Sequence, residues 1–231
     1  MFVLGVDGCR AKPGWIAFKV DVVSRATSVE IIDLASRLRT RPPDWACLAI
    51  DIPIGLLNSS RDCDRAARKL LGQPRGTSVF AAPCRAALGV DRHPAMSAEN
   101  KATTGRGLSL QAYGIAPKIK QVDDAITPES QEWAFEVHPE VCFWALAEKS
   151  PMKYSKKTKA GSLERLNLLR KEFPNIDRHL KDDRPPGVAK DDLLDACVAA
   201  WTALRRHSGD AISVCEKLEH DERGLEVSIW Y

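Results

Sequence analysis

The feature that most constrains the fold is an apolar segment that ends in an acid, and it occurs three times. The copies are FVLGVDG at 2–8, ACLAIDIP at 46–53 and a looser WAFEV at 133–137. A nearly continuous apolar run is typical of a strand buried on both faces, because a half-exposed strand would alternate polar and apolar residues. Each strand carries its acid to the rim of the sheet. We therefore expect Asp7, Asp51 and Glu136 to form the site.

The segments between these copies predict how the strands are connected. Residues 15–20 and 28–34 are typical of strands, so the chain opens as an antiparallel meander of three. A short helix at 35–40 then leads to the strand at 46–50. A helical crossover indicates that this strand runs parallel to the first one. The strand at 133–137 completes an α/β fold with one mixed sheet.

Apolar residues at helical spacing predict four further helices. They cover 62–71, 139–148, 162–171 and 190–207. Ser162 is in position to cap the third of them. On the first, a solvated side is expected to carry the charged residues Asp62, Asp64, Arg65, Arg68 and Lys69. The polar, proline-rich residues 174–188 are predicted to be a loop, and a last short element is expected at 225–231.

The length of 231 residues suits one domain with a good-sized core. Residues 73–132 are rich in glycine and proline and contain short helical pieces such as 95–103. No linker or internal repeat separates this region from the rest. We therefore interpret the chain as a single domain, 1–231, with an attached insertion at about 73–132.

Composition is that of an ordinary water-soluble protein. The chain is 44% hydrophobic and 28% charged, and its net charge of +3 permits nucleic-acid binding without demanding it. No apolar stretch reaches the roughly 18 residues of a membrane span, and no basic region precedes the first strand as in a signal peptide. The seven cysteines are scattered and contain no Cys-x-x-Cys pair. They are typical of core residues in a reducing cytoplasm.

The last predicted helix brings further acids to the same edge. Asp191, Asp192 and Asp195 lie at its start, and the latter two share one side because they are three residues apart. Ala196 and Ala199 are small, so this side can approach the sheet closely. Asp7, Asp51 and Asp195 are the expected core ligands, with Asp192 and Glu136 in support.

Several carboxylates cannot share a site as ions without a cation. Oxygen ligands favour hard divalent ions, so we expect Mg²⁺ or Mn²⁺. Two such ions about 4 Å apart can hold the attacking and leaving oxygens of an in-line phosphoryl displacement. The acids therefore predict chemistry on phosphate esters.

Each acid also has an ordinary explanation when taken alone. Asp7 precedes a glycine and could simply form a turn. Asp191 and Asp192 could cap a helix, and Glu136 could face solvent. His138 is more often a strand-exit residue than a ligand. Only the joint arrival of the acids at one edge favours a functional site.

Basic residues supply the candidate phosphate contacts. Lys153, Lys156 and Lys157 lie in a lysine-rich loop at 151–159, for which a plain solvated loop is the alternative. Arg10 follows Asp7 in the turn after the first strand. Arg75 and Arg106 stand beside glycines in flexible backbone. No phosphate-binding Gly-x-x-x-x-Gly-Lys-Ser/Thr loop and no dinucleotide-binding Gly-x-Gly-x-x-Gly motif after a strand is present.

Several short motifs together resemble domain-of-unknown-function family four-twenty-nine over about residues 2–204. They are GVDGCR (5–10) with GW (14–15), IDIPIGL (50–56), RDCDRAAR (61–68), SVFAAP (78–83), GRGLS (105–109), PKI (117–119), EVHPE (136–140) and DDLLDA (191–196). The final motif is also distantly similar to the last-helix acids of RuvC-type resolvases. RuvC-like enzymes often carry glutamate where Asp51 stands, and the shorter side chain could alter metal geometry.

The family's members are predicted RNase H-like nucleases. The resemblance implies an RNase H-like fold with strand order 3-2-1-4-5 and acids at Asp7, Asp51 and the last helix. With it, the sequence predicts a cytoplasmic, metal-dependent nuclease that acts on DNA or RNA, with a homodimer as a candidate assembly. The alternatives are an actin-like nucleotide-dependent phosphotransferase and a non-catalytic ligand-binding module. The first needs a second glycine-rich phosphate loop, which we do not find.

Overall fold

A five-stranded mixed sheet forms the centre of the molecule in the computed structural model, which describes residues 1–231. Its strands are β1 (Phe2–Gly8), β2 (Trp15–Asp21), β3 (Thr27–Ile32), β4 (Trp45–Ile50) and β5 (Ala134–Glu136). The order is β3-β2-β1-β4-β5. β1 is antiparallel to β2 and parallel to β4, and β4 is parallel to β5. The predicted fold class is therefore confirmed, including the strand order that the family resemblance implied.

Eight helices surround the sheet or extend from it. They are α1 (Leu34–Arg39), α2 (Asp62–Leu71), α3 (His93–Thr104), α4 (Leu110–Asp123), α5 (Pro139–Leu146), α6 (Lys159–Glu172), α7 (Ile176–Arg178) and α8 (Lys190–Ser208). A small hairpin of β6 (Glu219–His220) and β7 (Glu226–Val227) follows α8. None of the helices combines the length and the apolar character required to cross a membrane.

The alternation of side chains along the strands divides the core into two layers. Val3 on β1 and Phe18 on β2 face a core shared with α6 and α8. Leu4 on β1 and Trp15 on β2 face the opposite core, which α1 and α4 complete. Because successive strand residues point to opposite faces, the continuous apolar runs in the sequence reflect burial on both sides.

The insertion between β4 and β5 packs on the sheet through its second long helix. Ile119 and Val122 of α4 are buried in the same core as the strands, as are Ala125 and Ile126 just beyond it. The first part of the insertion forms short 3₁₀ turns at Arg75–Ser78 and Arg85–Gly89. The sequence pattern did not predict α4, whose glycine and internal Pro117 disguise the helical period.

Several predictions of helix boundaries, loops and solvent exposure are wrong for identifiable reasons. The α6 helix begins at Lys159, because the hydroxyl of Thr158 accepts a hydrogen bond from the Gly161 amide at 3.0 Å and so caps it in place of Ser162. The predicted loop at 174–188 contains α7 and a π-helical turn at His179–Asp183. Asp64, expected on a solvated side of α2, is buried.

Candidate active site

The carboxyl ends of β1 and β4 bring the first two acids together. The strands are paired in register up to Val6 and Ile50, and the Asp51 amide donates to the Val6 carbonyl at 2.9 Å. Asp7 lies one residue beyond Val6, and its Oδ1 accepts from the Gly8 amide at 2.6 Å. Parallel pairing thus places Asp7 and Asp51 side by side at one edge of the sheet.

The α8 helix adds the third acid by approaching β1 unusually closely. A methyl group at Gly5 would overlap the backbone of Ala196 and Ala200. Only glycine in the strand, opposite small residues in the helix, permits this contact. The helix therefore lies against the sheet deeply enough for Asp195, in its second turn, to reach the strand-end acids.

Asp7, Asp51 and Asp195 each place one carboxylate oxygen so that the three atoms lie within 4.8 Å of one another. Asp195 is 1% exposed. Its Oδ2 accepts from the Lys156 ammonium, whereas its Oδ1 is buried without a hydrogen-bond partner. We refer to these three acids as the carboxylate cluster.

Burial dominates the electrostatics of the cluster, and the charge of Lys156 opposes it. Burial, opposed in part by Lys156, raises the pKa of Asp51 to about 8. Burial and then the charges of Asp51 and Asp195 raise the pKa of Asp7 well above its ordinary value. Burial also raises the pKa of Asp195. In the absence of a cation other than Lys156, the cluster therefore retains protons near neutral pH.

Lys156 is the counter-ion of the cluster. The charge of Asp195 is the largest cause that raises the pKa of Lys156, and the charges of Asp51 and Asp7 add to it. One ammonium cannot balance three ionised carboxylates. The unpartnered Oδ1 of Asp195 and the all-oxygen donor set fit a hard divalent ion such as Mg²⁺ or Mn²⁺.

Glu136 reaches the same edge, but both of its oxygens already have partners. Oε1 pairs with the buried Arg61 at 2.6 Å, and Oε2 accepts from the Ile54 amide at 2.6 Å. Arg61 also pairs with Asp64 at 3.2 Å, and Asp64 accepts from the Ala82 amide at 3.1 Å. These contacts tie the loop after Asp51 to β5 and to the insertion.

The other two acids of α8 lie at the rim of the site. The Oδ2 of Asp192 accepts from the Ala189 amide at 3.0 Å, which caps the helix. Asp191 pairs with Lys157. Both acids line the cleft above the cluster, yet neither belongs to the group of three close oxygens.

The predicted phosphate-binding residues divide into two groups. Lys156 and Lys157 line the cleft. Lys153 and Arg10 are exposed and are absent from its walls. The Lys153 ammonium lies instead 5.3 Å from the centre of the Tyr154 ring.

The cleft has two lobes that meet at the carboxylate edge. The first, the carboxylate lobe, has a volume of about 240 Å³ and includes Asp7, Asp51 and Asp192. The second, the Arg75 lobe, has a volume of about 290 Å³ and extends towards the Arg75–Ser78 turn. Both lobes contain the residues Asp51, Phe80, Gln111, His138, Lys156 and Lys157.

Four residues that line the cleft were not predicted as site residues from the sequence. Phe80, Gln111 and Lys118 come from the insertion, and only α4, which was not predicted, brings the latter two to the site. His138 lies in both lobes, and burial followed by the nearby Lys156 charge lowers its pKa to about 4. Its imidazole is therefore neutral at pH 7, with Nδ1 buried and unpartnered. The Glu-Val-His-Pro motif was the one signal for it.

Fold and site together define a class: an α/β protein that gathers three acids at the carboxyl edge of a sheet ordered 3-2-1-4-5. The family described as "Protein of unknown function (DUF429)" matches residues 5–220. The chain therefore belongs to that family. Neither a curated protein nor a solved structure matches it significantly.

Proposed function

We propose that this protein is a phosphodiesterase that cleaves nucleic acid with the help of Mg²⁺ or Mn²⁺, two ions being the expected number. The observation that supports this function is the carboxylate cluster itself. Asp7, Asp51 and Asp195 converge within 4.8 Å, and Asp195 keeps a buried oxygen without any partner. Burying such a group without a partner is costly, and a divalent cation would satisfy it.

When bound, divalent ions would activate the attacking water and stabilise the charge that develops on the phosphate. Asp7, Asp51 and Asp195 would hold them. With Asp195 engaged as a metal ligand, Lys156 would be released from its present partner. Its ammonium would then donate to an oxygen of the phosphate that is being cleaved.

Glu136 is better suited to positioning than to catalysis. Its hydrogen bonds to Arg61 and to the Ile54 amide fix the loop that follows Asp51. We therefore assign it the role of holding Asp51 at the edge of the sheet. Asp192 has the corresponding role at the start of α8, where it caps the helix that carries Asp195.

We place this activity in the cytoplasm. All seven cysteines are free and six of them are buried. Unpaired thiols in this number are typical of proteins kept in a reducing compartment.

The test is cleavage of labelled single-stranded, duplex, hybrid and branched nucleic acids with Mg²⁺ or Mn²⁺. Wild type is expected to cleave at least one substrate, and Asp7→Asn and Asp195→Asn to lose about a hundredfold or more of that rate. Asp91→Asn is the matched control, since Asp91 is exposed and outside both lobes.

Two results would overturn the proposal. The absence of cleavage together with the absence of Mn²⁺ binding by calorimetry would favour a non-catalytic ligand-binding module. Tight ATP binding with phosphoryl transfer to an acceptor would favour the actin-like alternative.

A further inference from the structure

The Arg75 lobe differs from the carboxylate lobe in the charge of its walls. Besides Asp51 at the junction, its only acid is Glu140, whose Oε1 pairs with Arg165 and whose Oε2 is buried. The basic and hydroxyl side chains that line it are Arg75, Lys156, Lys157, Thr77, Ser78 and Ser155. Lys156 and Lys157 pair with Asp195 and Asp191, so Arg75 is the cation of this lobe that has no carboxylate partner. That cation favours an anionic ligand.

Arg75 gives the strongest indication that this lobe binds an anion. Its side chain is partly buried, and its Nε is fully enclosed without a hydrogen-bond partner. It takes part in none of the salt bridges of the protein. A buried guanidinium nitrogen ordinarily has an oxygen acceptor. Within this cleft, Arg75 is therefore a cation with which a ligand anion can still pair.

The two lobes are close enough to hold neighbouring parts of one molecule. Lys156 and His138 line both of them. Phe80 also lines both, and its ring is only partly buried. An aromatic ring beside a row of cations is how proteins that bind single strands stack bases while they hold the backbone.

The volumes of the lobes also limit the size of the group that each can hold. Gln111, Ile115 and Lys118 lie at helical spacing on the side of α4 that faces the cluster. Lobes of about 240 and 290 Å³ accept one small unit each. A duplex, in contrast, is bound on an open surface that buries at least about 600 Å² of protein, even by a single small module.

We propose that the substrate is a single-stranded nucleic acid, with the phosphate next to the cleaved one bound in the Arg75 lobe. This inference rests on the proposed function for the position of the cleaved phosphate. Arg75 binds the neighbouring phosphate, and Phe80 stacks on the base between the two.

The test is fluorescence anisotropy with labelled single-stranded DNA and RNA oligonucleotides, and with the duplexes of the same sequences. Wild type is expected to bind one of the single strands at least about tenfold more tightly than its duplex. Arg75→Ala should lose about tenfold in affinity and lower the salt slope by about one, and Arg75→Lys should recover part of the loss. Arg39→Ala is the matched control, because Arg39 is exposed at the end of α1 and outside both lobes.

The outcomes separate this inference from the nuclease proposal. Metal-dependent cleavage of duplex that Arg75→Ala leaves unchanged would overturn the inference and keep the nuclease. Single-strand binding that depends on Arg75, without cleavage and without Mn²⁺ binding, would support the single-strand site and overturn the nuclease. A nucleoside monophosphate that competes as well as the oligonucleotide would overturn the polymer as substrate. Equal losses in Arg75→Ala and Arg39→Ala would overturn the role of Arg75.

Discussion

The two lobes of the cleft are built in opposite ways. The acids of the carboxylate lobe stand on β1, directly after β4 and on α8, whose backbones are fixed by ladders of hydrogen bonds. The distinctive residues of the Arg75 lobe stand on a four-residue turn and on the loops around it. Regular elements therefore fix the spacing of the acids, whereas the basic residues of the Arg75 lobe come from a turn and a loop.

The largest expected effect comes from disrupting the contact between β1 and α8, which carries Asp195 to the carboxylate lobe. Gly5→Ala would drive a methyl group into the backbone of α8, and we expect a loss of about 3 kcal/mol or more in the free energy of unfolding. Gly114→Ala, in α4 where nothing lies within 4 Å, should instead stabilise by about 0.5–1 kcal/mol. Urea denaturation measures both. Similar values for the two variants would contradict the close approach of α8 to β1.

The second prediction concerns the buried ion pairs that tie the loop after Asp51 to β5 and to the insertion. Arg61→Met would leave Glu136 and Asp64 buried without their partner, and should cost about 3–5 kcal/mol of stability. Arg65→Met is the control. Arg65 and its partner Asp62 are about half exposed, so that change should cost less than about 1 kcal/mol. Thermal unfolding of both variants is the measurement, and a small loss in Arg61→Met would refute the positioning role of its network.

A third prediction compares two neighbouring lysines. Lys156 pairs with the buried Asp195, whereas Lys157 pairs with Asp191 and is largely exposed. Lys156→Met should reduce cleavage by about a hundredfold and leave Mn²⁺ bound at least as tightly, because a competitor for Asp195 is removed. Lys157→Met should reduce cleavage by less than about fivefold. Cleavage rates and calorimetry check both, and weaker Mn²⁺ binding in Lys156→Met would count against the exchange of partners.

The smallest expected effect tests the ion pair that anchors the insertion to the segment after α8. Arg85 of the insertion pairs with Asp221 after α8. Burial acts to raise the pKa of Asp221, but hydrogen bonds from Arg85 and from the amides of Leu225 and Leu56 outweigh it and lower the pKa. A lowered pKa stabilises the folded protein above about pH 4, the unfolded value, and that contribution disappears as the pH falls through the folded value.

Asp221→Asn should therefore weaken the acid-induced loss of stability below about pH 4. Thermal unfolding between about pH 2 and pH 7 would measure it, with Asp210→Asn as an exposed control. An unchanged pH profile in Asp221→Asn would show that the pair does not fasten the insertion.

The sequence predicted the core of the fold because each of its central strands has a simple pattern. The runs at 2–6 and 46–50 are apolar throughout, and Asp7 and Asp51 follow them directly. The period of α8 was equally plain, and its predicted bounds differ from the structure by one residue. These patterns were sufficient to name all three members of the carboxylate cluster.

The sequence was less informative where a side chain's role depends on a distant partner. Asp64 has the charge typical of a surface residue, yet it is buried. There it pairs with Arg61 and accepts a hydrogen bond from the Ala82 amide. Lys156 and Lys157 are adjacent in one basic loop, and only the fold assigns the first to Asp195. Phe80 lies in the SVFAAP motif and Gln111 in none of the motifs. Neither side chain has chemistry that by itself predicts a functional site.

By itself, therefore, the sequence determined the sheet, its acids and the helix that completes them, because strand and helix periods are local properties of the chain. Tertiary structure alone decided which cation pairs with the acids, that Arg75 stands in the cleft without a carboxylate partner, and how large the two lobes are. Those properties depend on burial and on contacts between residues far apart in sequence, since the energy of a charge is set by what surrounds it.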